Sequence, residues 1–468
     1  MLRPARSPGT ARAVLLGASL CAAGLGPGCT RPNPIYCDPT TPCPTGSRCG
    51  ADNVCVPEHP DGGPPDGPGP ECTEEGTCPG GQHCLSMTCV DCRDAHDCAG
   101  GLACTPAHAC APCNLDADCD ATTAGLCVDG VCPTESQLTW VDCDPACQGG
   151  DGTRSQPLCS LQPVIAESQG TPYVALVQRS CYTQLTDSNA RKVDLLGRGS
   201  TLAVTAATSG VSVMGDGTDL GLHDLTIVGL DPGSQNGVLV TAGATLRLGH
   251  VIVHDMPRSD SAGAEATMVS SRLEVRRSLI YGNAGWGIEI ADSQYVIENT
   301  FVLQNGQTSA TPPNGTGGIR FSGAAQGSFF YNTICSNRFE AVGSPPVAKG
   351  AGVRCESGAS PVLWDSLILD NHSGLVASPV DVSAGCDIAG KGDLQTLDTS
   401  VGQLTSVFFD PSQPAQSDLK NSGFHVLPSS TVRAKGVSAP DAPKADYDGD
   451  PRPPSGSGAP TPGADEPG

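Results

Sequence analysis

One short phrase returns four times between residues 273 and 391 and limits what the chain can become. It runs as Arg277-Ser278-Leu279-Ile280-Tyr281-Gly282-Asn283, then Asn299-Thr300-Phe301-Val302-Leu303-Gln304-Asn305. It returns as Asn332-Thr333-Ile334-Cys335-Ser336-Asn337 and as Asp365-Ser366-Leu367-Ile368-Leu369-Asp370-Asn371. Each copy joins a small polar residue to an apolar run and an Asn, and the Asn-to-Asn steps are 22, 32 and 34 residues. A second short strand follows each copy: Ile288-Glu289-Ile290, Ile319-Arg320-Phe321, Val353-Arg354-Cys355 and Val380-Asp381-Val382. These second strands alternate with period 2, so one face is buried and one is wet. A single unit cannot bury its own apolar face, whereas stacked coils can. The Asn residues suit the left-handed bend between strands, and their amides are placed to form a ladder from coil to coil.

This pattern resembles the right-handed parallel β-helix of pectate-lyase-like proteins, and the handedness comes from the resemblance. The implied fold class is all-β: a β-helix preceded by a disulfide-rich, loop-dominated stalk. Weaker copies at 221–228, 237–240 and 246–253 extend the array, for eight to ten coils from Val174 to about Val407. Leu138 to Asp142 reads as a first strand. Leu158, Leu161, Val164 and Ile165 sit at helical spacing, so a short helix is expected to cover the open end of the first coil, whose unpaired edge would otherwise invite aggregation.

Cysteine is strongly segregated, with 22 of 25 at or before Cys181. That load points to an oxidising compartment. Four modules each carry four cysteines: Cys37, Cys43, Cys49, Cys55; Cys72, Cys78, Cys84, Cys89; Cys92, Cys98, Cys104, Cys110; and Cys113, Cys119, Cys127, Cys132. Modules this small need covalent staples. They resemble the small Cys-rich repeats of secreted bacterial surface proteins. Sequence leaves three pairings open per module. Cys143 with Cys147 and Cys159 with Cys181 are the pairs expected beyond them. The Cys89-x2-Cys92 and Cys110-x2-Cys113 spacing imitates a zinc ribbon, but both pairs straddle module junctions. The Pro/Gly-rich stretch 57–70 is a linker without core-forming residues.

Residues 1–28 have the look of an export signal: Arg3, Arg6 and Arg12, then a short apolar run. Gly28-Cys29 resembles a bacterial lipoprotein cleavage site, which would lipidate Cys29, although Gly26 stands where that family prefers Leu. Ordinary cleavage to a soluble product is the rival. Parity speaks for the rival, since 24 cysteines remain without Cys21, unless one free thiol lies buried in the β-helix. The expected organisation is therefore signal 1–28, stalk 29–136, β-helix 137–445 and closing segment 446–468. The location is the cell surface or outer membrane, or else the medium, and the chain is expected to be a monomer.

A formal charge of −23 excludes nucleic acid as a natural partner and disfavours anionic lipid surfaces. Membrane contact would come through the lipid anchor alone. Glu289, Arg320, Arg354 and Asp381 fall at one outward position per coil. They are either a salt-bridge ladder or a polysaccharide-binding groove. The same face is where a lyase or hydrolase would carry its acid and base, yet no lyase or polygalacturonase motif is intact. Ten of the 18 aromatics lie between Tyr281 and Trp364, as core stacking or as a sugar-stacking surface. Asp446, Asp448 and Asp450 have calcium-loop spacing without a downstream bidentate Glu; no other cofactor is expected. The Asp446-to-Pro453 stretch with Gly463-Ala464-Asp465-Glu466 resembles the closing motif of choice-of-anchor β-helix proteins, departing from it in the Pro/Gly-rich insert. His223-Asp224 and His254-Asp255 read as surface pairs.

Overall fold

The computed structural model describes residues 131–167 and most of 172–306, 316–339 and 351–373. It also describes the strands at 47–49 and 55–57 and shorter pieces of 78–130, 381–395 and 408–464. Cys29, Cys37, Cys43, Cys72 and Asp450 lie outside the described residues.

The strands wind into three-sided coils, and all strand pairings within the coils are parallel. Sheet A contains Leu185–Asp187, Val211–Met214, Val238–Thr241, Ala262–Ala266, Trp286–Ala291, Gly317–Ser322 and Val353–Cys355, in that spatial order. A larger sheet is bent lengthwise into halves B and C. Lys192–Val204, Asp219–Gly229 and Thr245–His254 each run through both halves. Later coils break there, as in Arg272–Arg276 on B and Leu279–Tyr281 on C. Half C stacks nine strands among the described residues. This strand order is that of a parallel β-helix. The interior is a continuous aliphatic core, joined by Tyr295, Phe321 and Phe329, which pack ring against ring at 4.8 and 6.1 Å. The aromatic run is therefore largely core, not an exposed sugar platform.

The corners explain the repeated phrase. Single left-handed residues bend the chain between B and C at Asp224, His250, Arg277, Asn299, Tyr331 and Asp365. Between C and A the same conformation falls on Gly282, Gln304, Ser336 and Asp370. Each of these immediately precedes the Asn that ends the phrase, so at this corner the Asn itself is not the bend, contrary to expectation, whereas Asn299 does take the bend between B and C. The bend turns the Asn inward, where Asn283, Asn305, Asn337 and Asn371 are fully buried. Register also shifts one copy: Phe301 pairs with Thr333, so Asn332 stacks on Thr300 rather than on Asn299.

The four amides form a directional ladder. Nδ2 of Asn283, Asn305 and Asn337 donates to Oδ1 of the next Asn at 2.9, 3.0 and 2.9 Å. Each backbone N–H donates to that same oxygen, at 3.1, 2.9 and 3.0 Å. The ladder ends on Asp381, whose Oδ1 accepts from Asn371 Nδ2 at 2.9 Å and from its N–H at 3.0 Å. A carboxylate only accepts, so it sets the orientation of every amide before it. Gly263, Gly287, Gly318 and Gly352 make room for the ladder. A Cβ on Gly287 would lie 2.7 Å from Asn305 Nδ2.

The first coil is capped as the apolar pattern requires. The helix Leu161–Glu167 buries Leu161, Val164 and Ile165 against the first coil. Its Gln162 exchanges two hydrogen bonds of 2.8 Å with the Thr186 backbone, occupying the edge of sheet A. Later in the chain, described pieces of 408–464, which begin well before the expected closing segment, lie over the outer face of C. Phe408, Val426, Val432, Tyr447 and Ala464 are buried with Ile252, Leu279, Phe301 and Leu367. Arg452 donates to Asn299 Oδ1 at 2.9 Å and to the Gly463 carbonyl at 2.9 Å, and its guanidinium stacks 3.8 Å from the Tyr331 ring.

Two compact units divide at Thr73 and Glu74. The first contains an antiparallel pair, Ser47–Cys49 with Cys55–Pro57. The second unit includes the later Cys modules, where Val128 is buried with Leu138, Trp140, Ala175 and Leu196. Modules three and four share one pairing, first to third and second to fourth: Cys92–Cys104, Cys98–Cys110, Cys113–Cys127 and Cys119–Cys132. Cys78–Cys89 is the second-to-fourth bond of module two, and Cys84 is also disulfide-bonded. These bonds occupy all four cysteines of the zinc-like spacing, which leaves no thiolate for a metal. The expected pairs beyond the modules are corrected to Cys143–Cys181 and Cys147–Cys159. Cys181 is drawn inward by its strand, into the core cluster that Cys143 borders. Cys355–Cys386 closes a late coil, and Cys335 is a buried free thiol.

Two measurements check this fold. Replacing Asn337 by Ala strands the two donors of Asn305 in the interior, and should lower stability by about 2–4 kcal/mol in urea unfolding. Asp381→Asn, which keeps an acceptor, should cost about 1 kcal/mol or less. Non-reducing peptide mapping should recover the disulfides above, with Cys335 alkylated only after denaturation.

Candidate functional site

Sheet A carries a charged column along its outward face. Glu265 pairs in register with Glu289, Glu289 with Arg320, and Arg320 with Arg354. Adjacent coils place these positions about 4.8 Å apart. Three of the four expected residues thus share the face. Asp381 does not: the bridge between Val353 and Val382 sets it level with Gly352, and its carboxylate terminates the interior ladder. The physical reason is register: a shift of one residue turns an outward side chain inward.

Two further carboxylates complete the column. Arg320 donates Nη1 to Glu289 Oε1 at 2.6 Å, and Nε and Nη2 to Glu356 Oε2 at 3.2 and 2.6 Å. Arg354 pairs with Glu356 from the other side and lies 5.3 Å over the Phe339 ring. Asn236 donates Nδ2 to Glu265 Oε2 at 2.6 Å. Glu265 is thus the end of the column without a direct ion pair. Burial, reinforced by the Glu289 charge, pushes its carboxyl up to about 7, against the bond from Asn236. Burial raises Glu289 as well, while Arg320 opposes the rise. Trp286 and Phe339 sit beside the column, 6.4 Å apart, in a small buried cluster with Ala262 and Ala351.

Glu265 escaped sequence reasoning because Ala262–Ala266 has little apolar weight. A signal was nonetheless present. Gly263-Ala264-Glu265-Ala266 matches Gly287-Ile288-Glu289-Ile290, Gly318-Ile319-Arg320-Phe321 and Gly352-Val353-Arg354-Cys355, with the ladder glycine two residues before each charge.

The remaining candidates have structural surroundings. Asp446 is buried, and its Oδ1 accepts the Asp448 N–H at 3.0 Å. Both carboxylates lie near Arg277, whose Nε donates to the Tyr447 carbonyl at 3.0 Å. His254 binds Asp255 at 2.9 Å and stacks on Tyr281. No helix among the described residues is long and apolar enough to cross a membrane.

Among solved structures, the pectate lyase Pel9A is similar over 71% of this chain and 96% of its own length, with 14% identity and a TM-score of 0.40. The fold assignment rests on the parallel strand order itself. No protein family model matches the chain, and no curated protein matches it.

The raised Glu265 carboxyl gives a signed prediction. A folded-state value above the unfolded one leaves stability intact at low pH and removes it as pH rises from about 4.5 toward about 7. Glu265→Gln should flatten that part of the stability profile, read as melting temperature against pH.

Proposed function

We propose that this is an exported, lipid-anchored surface protein whose sheet A engages extracellular polysaccharide. The observation that carries the reading is the in-register column Glu265, Glu289, Arg320 and Arg354, braced by Glu356 on one outward face. A row of fixed carboxylates and guanidiniums follows the coil axis, as an extended polymer would. Carboxylates accept from sugar hydroxyls and guanidiniums donate to ring and hydroxyl oxygens. The strong negative charge of the chain favours neutral glycans over acidic ones.

Cysteine arithmetic supports the anchor. Cys335 is a free thiol and Cys355 pairs with Cys386. The twenty cysteines from Cys37 to Cys181 are an even set, several already paired with one another. Once Cys21 leaves with the signal, pairing of these twenty among themselves would leave Cys29 over for lipidation. The Cys modules and the Pro/Gly linker then serve as a spacer between bilayer and β-helix.

The test is retention on a panel of neutral and acidic polysaccharides, with and without calcium, read together with chain length. Retention that falls at least tenfold in the Arg320→Ala, Arg354→Ala double variant supports the binding face. Unchanged retention makes the column a structural salt-bridge ladder, and shortening of the polymer moves the reading to a carbohydrate-active enzyme.

A further inference from the structure

The late coils bring two carboxyls together at one interior corner, and what they do there does not depend on the sheet A reading. A second ladder runs through the corner between halves B and C. The backbone N–H of Thr300 donates to Asn332 Oδ1 at 3.0 Å, that of Asn332 to Ser366 Oγ at 3.2 Å, and that of Ser366 to Asp393 Oδ1 at 2.8 Å. Asp393 is the last rung among the described residues, next to Leu394, which pairs with Leu367. Its other oxygen, Oδ2, is buried without a hydrogen-bond partner.

The residue before each of the last two rungs takes the left-handed bend, Asp365 in one coil and Gly392 in the next. Asp365 is fully buried. Its Oδ1 lies against Gly392, where a Cβ would collide with it, and a Cβ on Gly436 would stand 2.8 Å away. That same oxygen accepts the N–H of Val437. The Asp365 carbonyl accepts the N–H of Gly463 at 2.7 Å. Asp365 is thus wedged between the last described coil and the chain that covers half C, and it holds that chain by two backbone bonds.

The charges that act on Asp393 are of its own sign. Asp365 comes from the coil before it, and Asp387 from the segment level with Val362. On the covering chain, Lys435 beside Gly436 is exposed. Two carboxyls crowded in a dry corner do not readily both carry charge. Burial pushes the Asp393 carboxyl up to about 8, helped by the charges of Asp365 and Asp387 and opposed by the Ser366 N–H.

We propose that Asp365 and Asp393 form a proton-controlled latch for the covering chain: protonated Asp393 keeps the pieces of 432–464 seated on half C, and loss of that proton loosens them. An ionised Asp393 repels the carboxylate to which Val437 is bonded. Release uncovers Leu303, Cys335 and Leu367 on the apolar outer face. The sign follows from the raised carboxyl. Closure is firmest below about 4 and weakens as pH rises from about 4 toward about 8.

The test is hydrogen exchange on the whole oxidised protein, corrected for the intrinsic pH dependence of amide exchange. Protection at Val437 and Gly463 is compared with protection in the strand 219–229, which separates the latch from global unfolding. In the wild type, relative protection at Val437 and Gly463 should fall at least about tenfold between pH 5 and pH 8. Asp393→Asn keeps an acceptor for the Ser366 N–H and cannot ionise, so its protection should stay within about threefold over that range. Asp365→Asn removes the charge that Asp393 faces and should shrink the wild-type fall, which supplies the reading should Asp393→Asn fail to fold. Relative protection that does not change with pH in the wild type overturns the proposal. So does a fall of wild-type size in Asp393→Asn, or in Asp365→Asn where that variant has to decide.

Discussion

The buried backbone at the coil corners is the constraint from which the rest follows. Each turn from half C into sheet A brings peptide N–H groups into the interior, away from water. A donor left unpaired there costs about 1–3 kcal/mol. The Asn ladder supplies one acceptor per coil for the backbone N–H and the amide of the coil before it. That single solution sets the spacing of the repeat, requires a left-handed residue just before each Asn, and demands a glycine opposite. It also requires an acceptor at the end, which Asp381 provides.

Stacking by such a ladder locks register, and register decides which side chains reach the surface. On sheet A it aligns acidic and basic residues into one braced column. On half B it brings Asp194, His223 and Arg247 together from three successive coils. The two faces differ in what they leave open. In the column, Arg320 is bonded to carboxylates on both sides and only Glu265 lacks a direct cation. On half B the buried Asp194 carboxylate is bonded by both His223 and Arg247.

The outer face of half C shows the opposite treatment. Phe301, Leu303 and Leu367 are too apolar to stand in water, and pieces of 408–464 cover them. The Asp-rich turn near Tyr447 serves that docking: Tyr447 packs edge-on against Phe301 at 4.7 Å, with Arg277 and Arg452 bonded across the junction. Its acidic spacing, read alone, resembles an ion loop.

The repeat phrase, the period-2 second strands, the capping helix and the stapling of the later Cys modules were legible from residues alone, because periodic burial and covalent stapling leave local signatures. The positions of Glu289, Arg320 and Arg354 followed from the same period. Asp381 was misread because an outward and an inward residue differ by one step of register, which no local pattern reports. The pairings Cys143–Cys181 and Cys147–Cys159 depended on which strands the first coil brings together. Glu265 and the Asp194–His223 contact join residues 24 and 29 positions from their partners. Composition and periodicity determine that a coil forms; only the stacking of one coil on the next decides which charges meet, because partner choice there depends on register across coils of unequal length.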